Sequence, residues 1–207
     1  MSTYHLHSPF RDQDVDQLAI GDEVYLFGKA FTCRSRLQRW VFDEGNSFPN
    51  SLRDRNVLIH AGPIVMREND QWKLISFMPT SSIRFEKWGA SSIKEWGLKM
   101  IIGKTTMGDQ TMEMMVKNKC VHVSPQSVSP NLWINSINID GVDLFDELGA
   151  IEAAWHLNLD GLGPFIVDID CRGNNLYKNH EAIVNANREK VFEKLSIGQD
   201  FKFTKLY

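Results

Sequence analysis

The sequence predicts one α/β domain built on a mixed sheet. The middle of the chain alternates strand-like apolar runs with segments of helical period, the pattern of strands joined by helices. The later part carries extended runs and a hairpin-type turn, Gly173-Asn174-Asn175, which argues for antiparallel pairing. The 207 residues are 43% hydrophobic and 24% charged, enough for a sizeable core without disulfide staples, and no repeat, linker or low-complexity stretch divides them.

Each element has a local reason. Residues 1–20 read as an irregular lead-in. The run Val24-Tyr25-Leu26-Phe27 predicts a strand over 23–28. Leu37, Trp40 and Val41 fall at i, i+3 and i+4 and predict a helix over 34–43, which Gly45, Asn46, Pro49 and Asn50 break. Buried strands follow over 57–61 and 72–77. Pro79-Thr80-Ser81-Ser82 is a turn whose hydroxyls suit the start of a helix running to Trp96. A strand over 99–102 leads through Gly103 into a helix over 109–118, with Met112, Met115 and Val116 on one face, and then a strand over 121–123. Segments 134–144, 154–159 and 165–170 look extended. Asn179 is expected to cap a last helix reaching Leu195, with Val184, Val191 and Leu195 as its buried stripe and Gly198 as its stop.

Composition excludes several classes. With 26 acidic and 23 basic residues the net charge is −3, which argues against a free-standing nucleic-acid binder. The longest unbroken apolar run, 24–27, is far too short for a membrane span. No charged-then-apolar leader opens the chain, so a cytoplasmic protein is expected. The three cysteines, Cys33, Cys120 and Cys171, are odd in number and widely spaced. They predict neither a disulfide framework nor a thiolate cluster for zinc or iron–sulfur, and no metal ligand is assigned in this chain. Cys33, beside Arg34 and Arg36, is the one thiol that neighbouring cations would activate. His60, His122 and His156 read as packed histidines of strands, and Asp168 and Asp170 as sharing one sheet face. His5 and His7 form an HxH pair in the lead-in.

Three turns carry the candidate chemistry. Gly103-Lys104-Thr105 resembles the end of a phosphate-binding loop, but the glycine needed five positions earlier is Leu98 and a strand lies inside the would-be loop. What survives is a lysine at a strand-to-helix turn, where ammonium and helix start both favour an anion. Thr80, Ser81 and Arg84 form a second such turn, with a cation on a first helical turn where the dipole disfavours it. Arg34 and Ser35 lie at a third, after the first strand. Open α/β sheets bind ligands at the carboxyl ends of their strands. Two guanidinium forks and one ammonium suit a small dicarboxylate, each charge-assisted bond being worth on the order of 1.5–3 kcal/mol.

These motifs, in this order, resemble the β subunit or C-terminal domain of class I fumarate hydratases and L(+)-tartrate dehydratases. The resemblance spans about 18–177. It rests on Gly21-Asp22-Glu23-Val24 leading to Gly28, Arg34, Ala61-Gly62-Pro63, the 79–84 turn, Ile102-Gly103-Lys104, Leu148-Gly149 with Glu152-Ala153, and 170–177. It implies a single swivelling β/β/α domain over 21–178, with 179–207 its C-terminal helix and tail. It implies a hydro-lyase acting on a small hydroxy-dicarboxylate, whose [4Fe–4S] cluster sits on a partner α subunit and not on this chain. It assigns Thr80 and Lys104 to catalysis and Arg34, Arg84, Ser81 and Ser35 to substrate. Homodimerisation stays open.

The sequence departs from the family pattern at several positions. Ser35 replaces an acid that would hold Arg34, Gln38 stands at a histidine position, and Met78 replaces a glycine. Phe85 and Glu86 follow Arg84 where methionine and aspartate are usual, and Thr105 replaces the glycine after Lys104. Two readings therefore stand: an active β subunit, or a catalytically degenerate dicarboxylate-binding or regulatory subunit of the same fold.

Overall fold

A computed structural model describes residues 1–126, 129–198, 200–202 and 204. The lead-in is not irregular. Its first residues form strand β1, Thr3–Ser8, and a short helix α1, Asp12–Asp16, whose Val15 is buried. The His5 and His7 rings stack on Tyr25 and Phe27, with centroids 5.2 and 4.7 Å apart, which gives this alternating polar strand a sheet neighbour to pack on.

β2, Glu23–Thr32, runs four residues past its expected end and carries the fold. One of its edges pairs in parallel with β1 along 23–28 and then with β3, Val57–Ile59, at its far end. α2, Ser35–Phe42, lies between β2 and β3. The hairpin of β4, Ile64–Glu68, and β5, Gln71–Ser76, follows. The 134–144 and late segments resolve differently from the expectation. A 3₁₀ turn precedes β8, Ile137–Asp143, and the two extended pieces 154–159 and 165–170 are one long strand, β9, Ala154–Ile169. Between hairpin and β8 come α3, Glu86–Trp96, β6, Met100–Ile102, α4, Asp109–Asn118, and β7, Val121–Pro125; α5, Phe145–Leu148, precedes β9.

β3, β6 and β7 stack in parallel, β7 pairs with β9 antiparallel, and β9 returns to pair antiparallel with the second edge of β2. Hydrogen bonding thus closes a small barrel-like ring, β2-β3-β6-β7-β9, inside a seven-stranded mixed sheet with β1 and β8 as outer strands. Closure removes the unpaired edges that an open sheet would expose. Period-two side chains sort the residues. Val57, Ile59, Met100, Ile102, Val121 and Val123 join one core with Leu157, Phe165 and Val167, whereas Leu58 and Ile101 face a second core with Ile93, Trp96, Leu98 and Met115 under the helices.

The last helix, α6, Leu176–Lys194, begins earlier than expected. Asn175 is its N-cap and accepts from Lys178 N at 3.1 Å, so Asn179 lies inside the helix. The stripe Val184, Val191 and Leu195 is exposed (61, 46 and 63%) and no residue of α6 is buried. Amphipathic spacing marks a face that could bury itself, but among the described residues this stripe stays exposed. Among the described residues no helix is long and apolar enough to cross a membrane.

Candidate functional site

The three turns meet at one end of the ring, just past the carboxyl ends of its parallel strands. Cys33 N donates to Ile59 O at 3.0 Å, which ties the start of the Arg34 turn to the end of β3. Thr80 N donates to His60 O at 2.6 Å, and Pro79 bridges Ala61. Lys104 N donates to Thr80 O and Ser82 N to Lys104 O, each at 2.9 Å, so Ser81 and Lys104 form a short parallel ladder that extends the sheet. Gly62 lets Arg34 lie against this group: a Cβ there would stand 2.4 Å from Ile151 O and 3.1 Å from Arg34 Nη1.

Arg34 does have a carboxylate. Glu152 Oε1 lies 3.2 Å from Arg34 Nε, an ion pair in which the N–H is not aimed at the oxygen and finds no acceptor. The other Glu152 oxygen accepts from Arg36 N at 2.9 Å, capping the start of α2 from outside, and the Ser35 hydroxyl stands 3.5 Å from it. The acid missing at Ser35 is thus supplied from the turn before β9, more than a hundred residues away, and Ser35 is engaged with Glu152. Arg84 is exposed and Lys104 half-buried, and neither is paired with a carboxylate among the described residues. Of the three cations, one is partly neutralised and two remain available to an anion.

The other departures also acquire reasons. Gln38 is fully buried and its Nε2 donates to Ser92 Oγ at 3.3 Å, so it joins α2 to α3. Met78 packs against the barrel core. The Phe85 ring lies on His60 with centroids 4.4 Å apart. Glu86 accepts from Gly108 N (2.7 Å), Thr111 N (3.1 Å) and Thr111 Oγ1 (2.7 Å), so its carboxylate caps α4 from a neighbouring helix. Thr105 holds φ +65°, the left-handed region that a β-branched residue rarely adopts. Cys33, by contrast, is not an activated thiol: it is fully buried, and burial and then the Glu152 charge push it well up.

The hydroxyls of the 79–84 turn do not cap a helix; neither Ser81 nor Phe85, the cap positions there, makes a side-chain cap. Ser82 turns inward instead. Its Oγ lies 2.9 Å from His60 Nδ1 and 2.8 Å from His122 Nε2, and His122 Nδ1 lies 2.6 Å from Asp168 Oδ1. Ser124 Oγ lies 2.8 Å from the same Asp168 oxygen and 2.9 Å from Thr105 O. The side chains of His60, Ser82, His122, Ser124 and Asp168 are all buried. Burial, and then the neighbouring His122, drives His60 well below the ordinary imidazole range. Reading His60 and His122 as packed histidines is correct as far as it goes, but Ser82 was legible only as a turn residue. No local signal marks it: Gly103, where a Cβ would meet Ser82 Oγ at 1.9 Å, shows its purpose only once the fold brings the two together.

Comparison with known proteins gives the family. The family model described as Fumarase C-terminus matches residues 2–180. The chain belongs to the fumarase C-terminus family. It is 31% identical over 190 residues, 92% of this chain and 94% of the relative, to the L(+)-tartrate dehydratase subunit beta of Escherichia coli (strain K12). It is 33% identical over 188 residues, 89% and 92% of the two chains, to a putative L(+)-tartrate dehydratase subunit beta of Methanocaldococcus jannaschii. A putative fumarate hydratase class I of Geobacillus stearothermophilus is 29% identical over 188 residues, covering 90% of this chain but 35% of that longer protein. The fumarase C-terminus fold thus occurs both as a separate subunit and within a larger chain. In this member of the family the donor set does not fit an iron–sulfur cluster: Cys33, Cys120 and Cys171 are all buried with their thiols pushed up by burial, and no group of three His, Cys, Asp or Glu among the described residues is placed to hold a metal.

Proposed function

We propose that this chain is the β subunit of a hydro-lyase that adds or removes water on a small hydroxy-dicarboxylate, with a [4Fe–4S] cluster carried by a partner α subunit. Its relatives' names support the reaction class. The observation that supports the reading is the bridge between Ser81 and Lys104, which joins the Thr80–Arg84 turn to the Lys104 turn at the strand ends where the Arg34 turn also begins, while among the described residues Arg84 and Lys104 are paired with no carboxylate. As a swivelling domain, the chain closes this end over its partner and excludes water from the reacting dicarboxylate.

In that closed site Arg34 and Arg84 bind the two carboxylates, with Ser81 adding a hydroxyl donor and Ser35 free to do so only once it turns from Glu152. Both the guanidinium charge and the Lys104 ammonium stabilise the negative charge that builds on a carboxylate as the adjacent carbon loses its proton. Thr80 stands beside that carbon and passes the proton on; a threonine hydroxyl is too weak a base alone, so a carboxylate of the partner activates it.

The test is reconstitution. The chain combined anaerobically with its cluster-bearing partner should dehydrate L(+)-tartrate or malate, and omission of either polypeptide should abolish turnover. Arg84→Ala should remove about 2–5 kcal/mol of transition-state stabilisation, because one carboxylate is left unpaired in a dry site. Binding of these acids without turnover, in a complex whose cluster is intact, would establish the degenerate subunit instead. A rate within twofold of wild type for Arg84→Ala would make Arg84 a surface charge.

A further inference from the structure

Behind the ladder, four side chains from four separate segments stand in a row: Asp168 of β9, His122 of β7, Ser82 of the 79–84 turn and His60 after β3. All are 0–1% exposed. Hydrogen accounting favours one direction for this row. Ser82 has a single proton and two histidine neighbours, so it donates to one and accepts from the other. In one direction His122 Nδ1 donates to Asp168, His122 Nε2 accepts from Ser82, and Ser82 accepts from His60 Nδ1. The row then ends at His60 Nε2, a bare lone pair with no partner among the described residues. The opposite direction needs either both His122 nitrogens protonated or a neutral Asp168 that donates to His122 Nδ1, and in both cases it leaves an N–H of His60 buried without an acceptor, an orphan donor in a dry place.

The row is also bonded to both cation-bearing turns. Ser82 N donates to Lys104 O, and Ser124, the neighbour of Asp168, reaches Thr105 O. Gly103 is the position that permits Ser82 to reach its histidines. An apolar plug of the same shape would fill this space at least as stably as a buried polar row whose Asp168 Oδ2 finds no partner among the described residues. A chain of hydrogen bonds with one favoured direction fixes the relative orientation of the segments that carry it.

The geometry points to Asp168, His122, Ser82 and His60 as positioning residues that hold the Thr80 and Lys104 turns in register from behind, a role that rests on the dicarboxylate reading only for its effect on turnover. None of the four touches substrate. In the favoured direction His122 and His60 both carry their proton at Nδ1 and Ser82 donates to His122.

Nitrogen-15 NMR of the full chain tests the direction: both histidines should be protonated at Nδ1 and bare at Nε2. Protonation of His122 at Nε2 would overturn it. Ser82→Ala tests the function. Amide exchange at Thr80, Ser82 and Lys104, the last two of which lie on either side of the ladder bond, should quicken at least tenfold, while that at Leu26, in the middle of β2, stays within twofold. In the reconstituted complex, kcat per folded molecule on L(+)-tartrate should fall at least tenfold with KM changed less than threefold, a split that a loss of folded protein alone cannot produce. Should Ser82→Ala not fold, Asp168→Asn, which keeps the shape and removes the charge, carries the same expectations. Exchange and kcat both within twofold of wild type would overturn the proposal while leaving the dicarboxylate reading intact. Loosened turns in Ser82→Ala, together with a wild-type complex that neither binds nor dehydrates tartrate or malate, would uphold the positioning role and overturn the dicarboxylate reading.

Discussion

The strand-end cluster and helix α6 are opposite solutions to ordering a segment. At the strand ends Ser82, His60, His122 and Asp168 are buried, and each is held by a residue far away in the chain. α6 has nineteen residues and none is buried; it is held mainly by its own backbone, the Asn175 cap and local contacts such as Asn187 Nδ2 to Ile183 O at 2.9 Å, with the surface ion pair of Lys178 and Asp109 as a link to α4. The cluster has little tolerance for a change of one atom because every neighbour is fixed. The helix tolerates change because its side chains meet water. The contrast teaches where sequence substitutions in this chain should be felt.

The largest stability effect should come from Gly103→Ala. Its methyl would stand 1.9 Å from Ser82 Oγ, so either the turn or the hydroxyl must move. Urea unfolding should show a loss of about 1–3 kcal/mol from overpacking, with the loss of the Ser82 bonds added to it; an unchanged midpoint would show that the turn is loose and that the contrast with α6 is unreal. Next is a pH effect from His60. Its folded-state affinity for a proton lies well below the ordinary 6.5, so the unfolded chain takes up the proton first. Stability is therefore full above pH 6.5 and falls as the pH drops below it, by about 1.4 kcal/mol per pH unit once the unfolded histidine is charged. The titratable groups facing His60 through Ser82 are His122 and, beyond it, Asp168. Unfolding measured at pH 7.5 and 5.5 should show a loss of about 1 kcal/mol that His60→Gln abolishes; an equal loss in both proteins would assign the effect elsewhere.

Thr105→Gly should act in the other direction. It removes the steric cost of a side chain at φ +65° and adds the entropy cost of glycine, for a net gain of about 1 kcal/mol. A lower thermal midpoint for this variant would mean that the Thr105 side chain holds the Lys104 turn. The smallest effect belongs to α6. Val184→Gln and Val191→Gln, both at exposed positions, should change stability by less than about 0.5 kcal/mol in the isolated chain. A larger loss would show that the helix is packed after all.

Much of the fold follows from local patterns. The period-two runs of β3, β6 and β7 and the helical spacing of α2, α3 and α4 are short-range properties, and α4 spans the 109–118 that its sequence predicts. The failures share a physical cause. β1 has only two apolar residues, Tyr4 and Leu6, alternating with polar ones, too short a pattern to predict a strand; its order comes from pairing with β2. The stripe on α6 has helical spacing, yet spacing gives the face and not its cover. β9 was read as two pieces because 160–164 holds Asp160, Gly161, Gly163 and Pro164, residues that mark turns; ladder bonds on both sides carry the strand through them. For the site, the cations and Thr80 were legible as strand-end turns, whereas Glu152 as the holder of Arg34 and Ser82 as the centre of a buried row were not. Both depend on residues brought together from distant positions, and no spacing rule reaches across them.

The sequence by itself determined the α/β class, the cationic turns and the family, because side-chain periodicity, turn chemistry and motif order are local and additive. Only the tertiary structure decided that β2 closes a ring with β9, that Arg34 is held by Glu152, and that a serine in a loop joins two histidines and an aspartate. Those outcomes depend on which buried polar groups find partners, and a buried donor or acceptor is satisfied by whatever the fold places within about 3 Å, not by its neighbours in the chain.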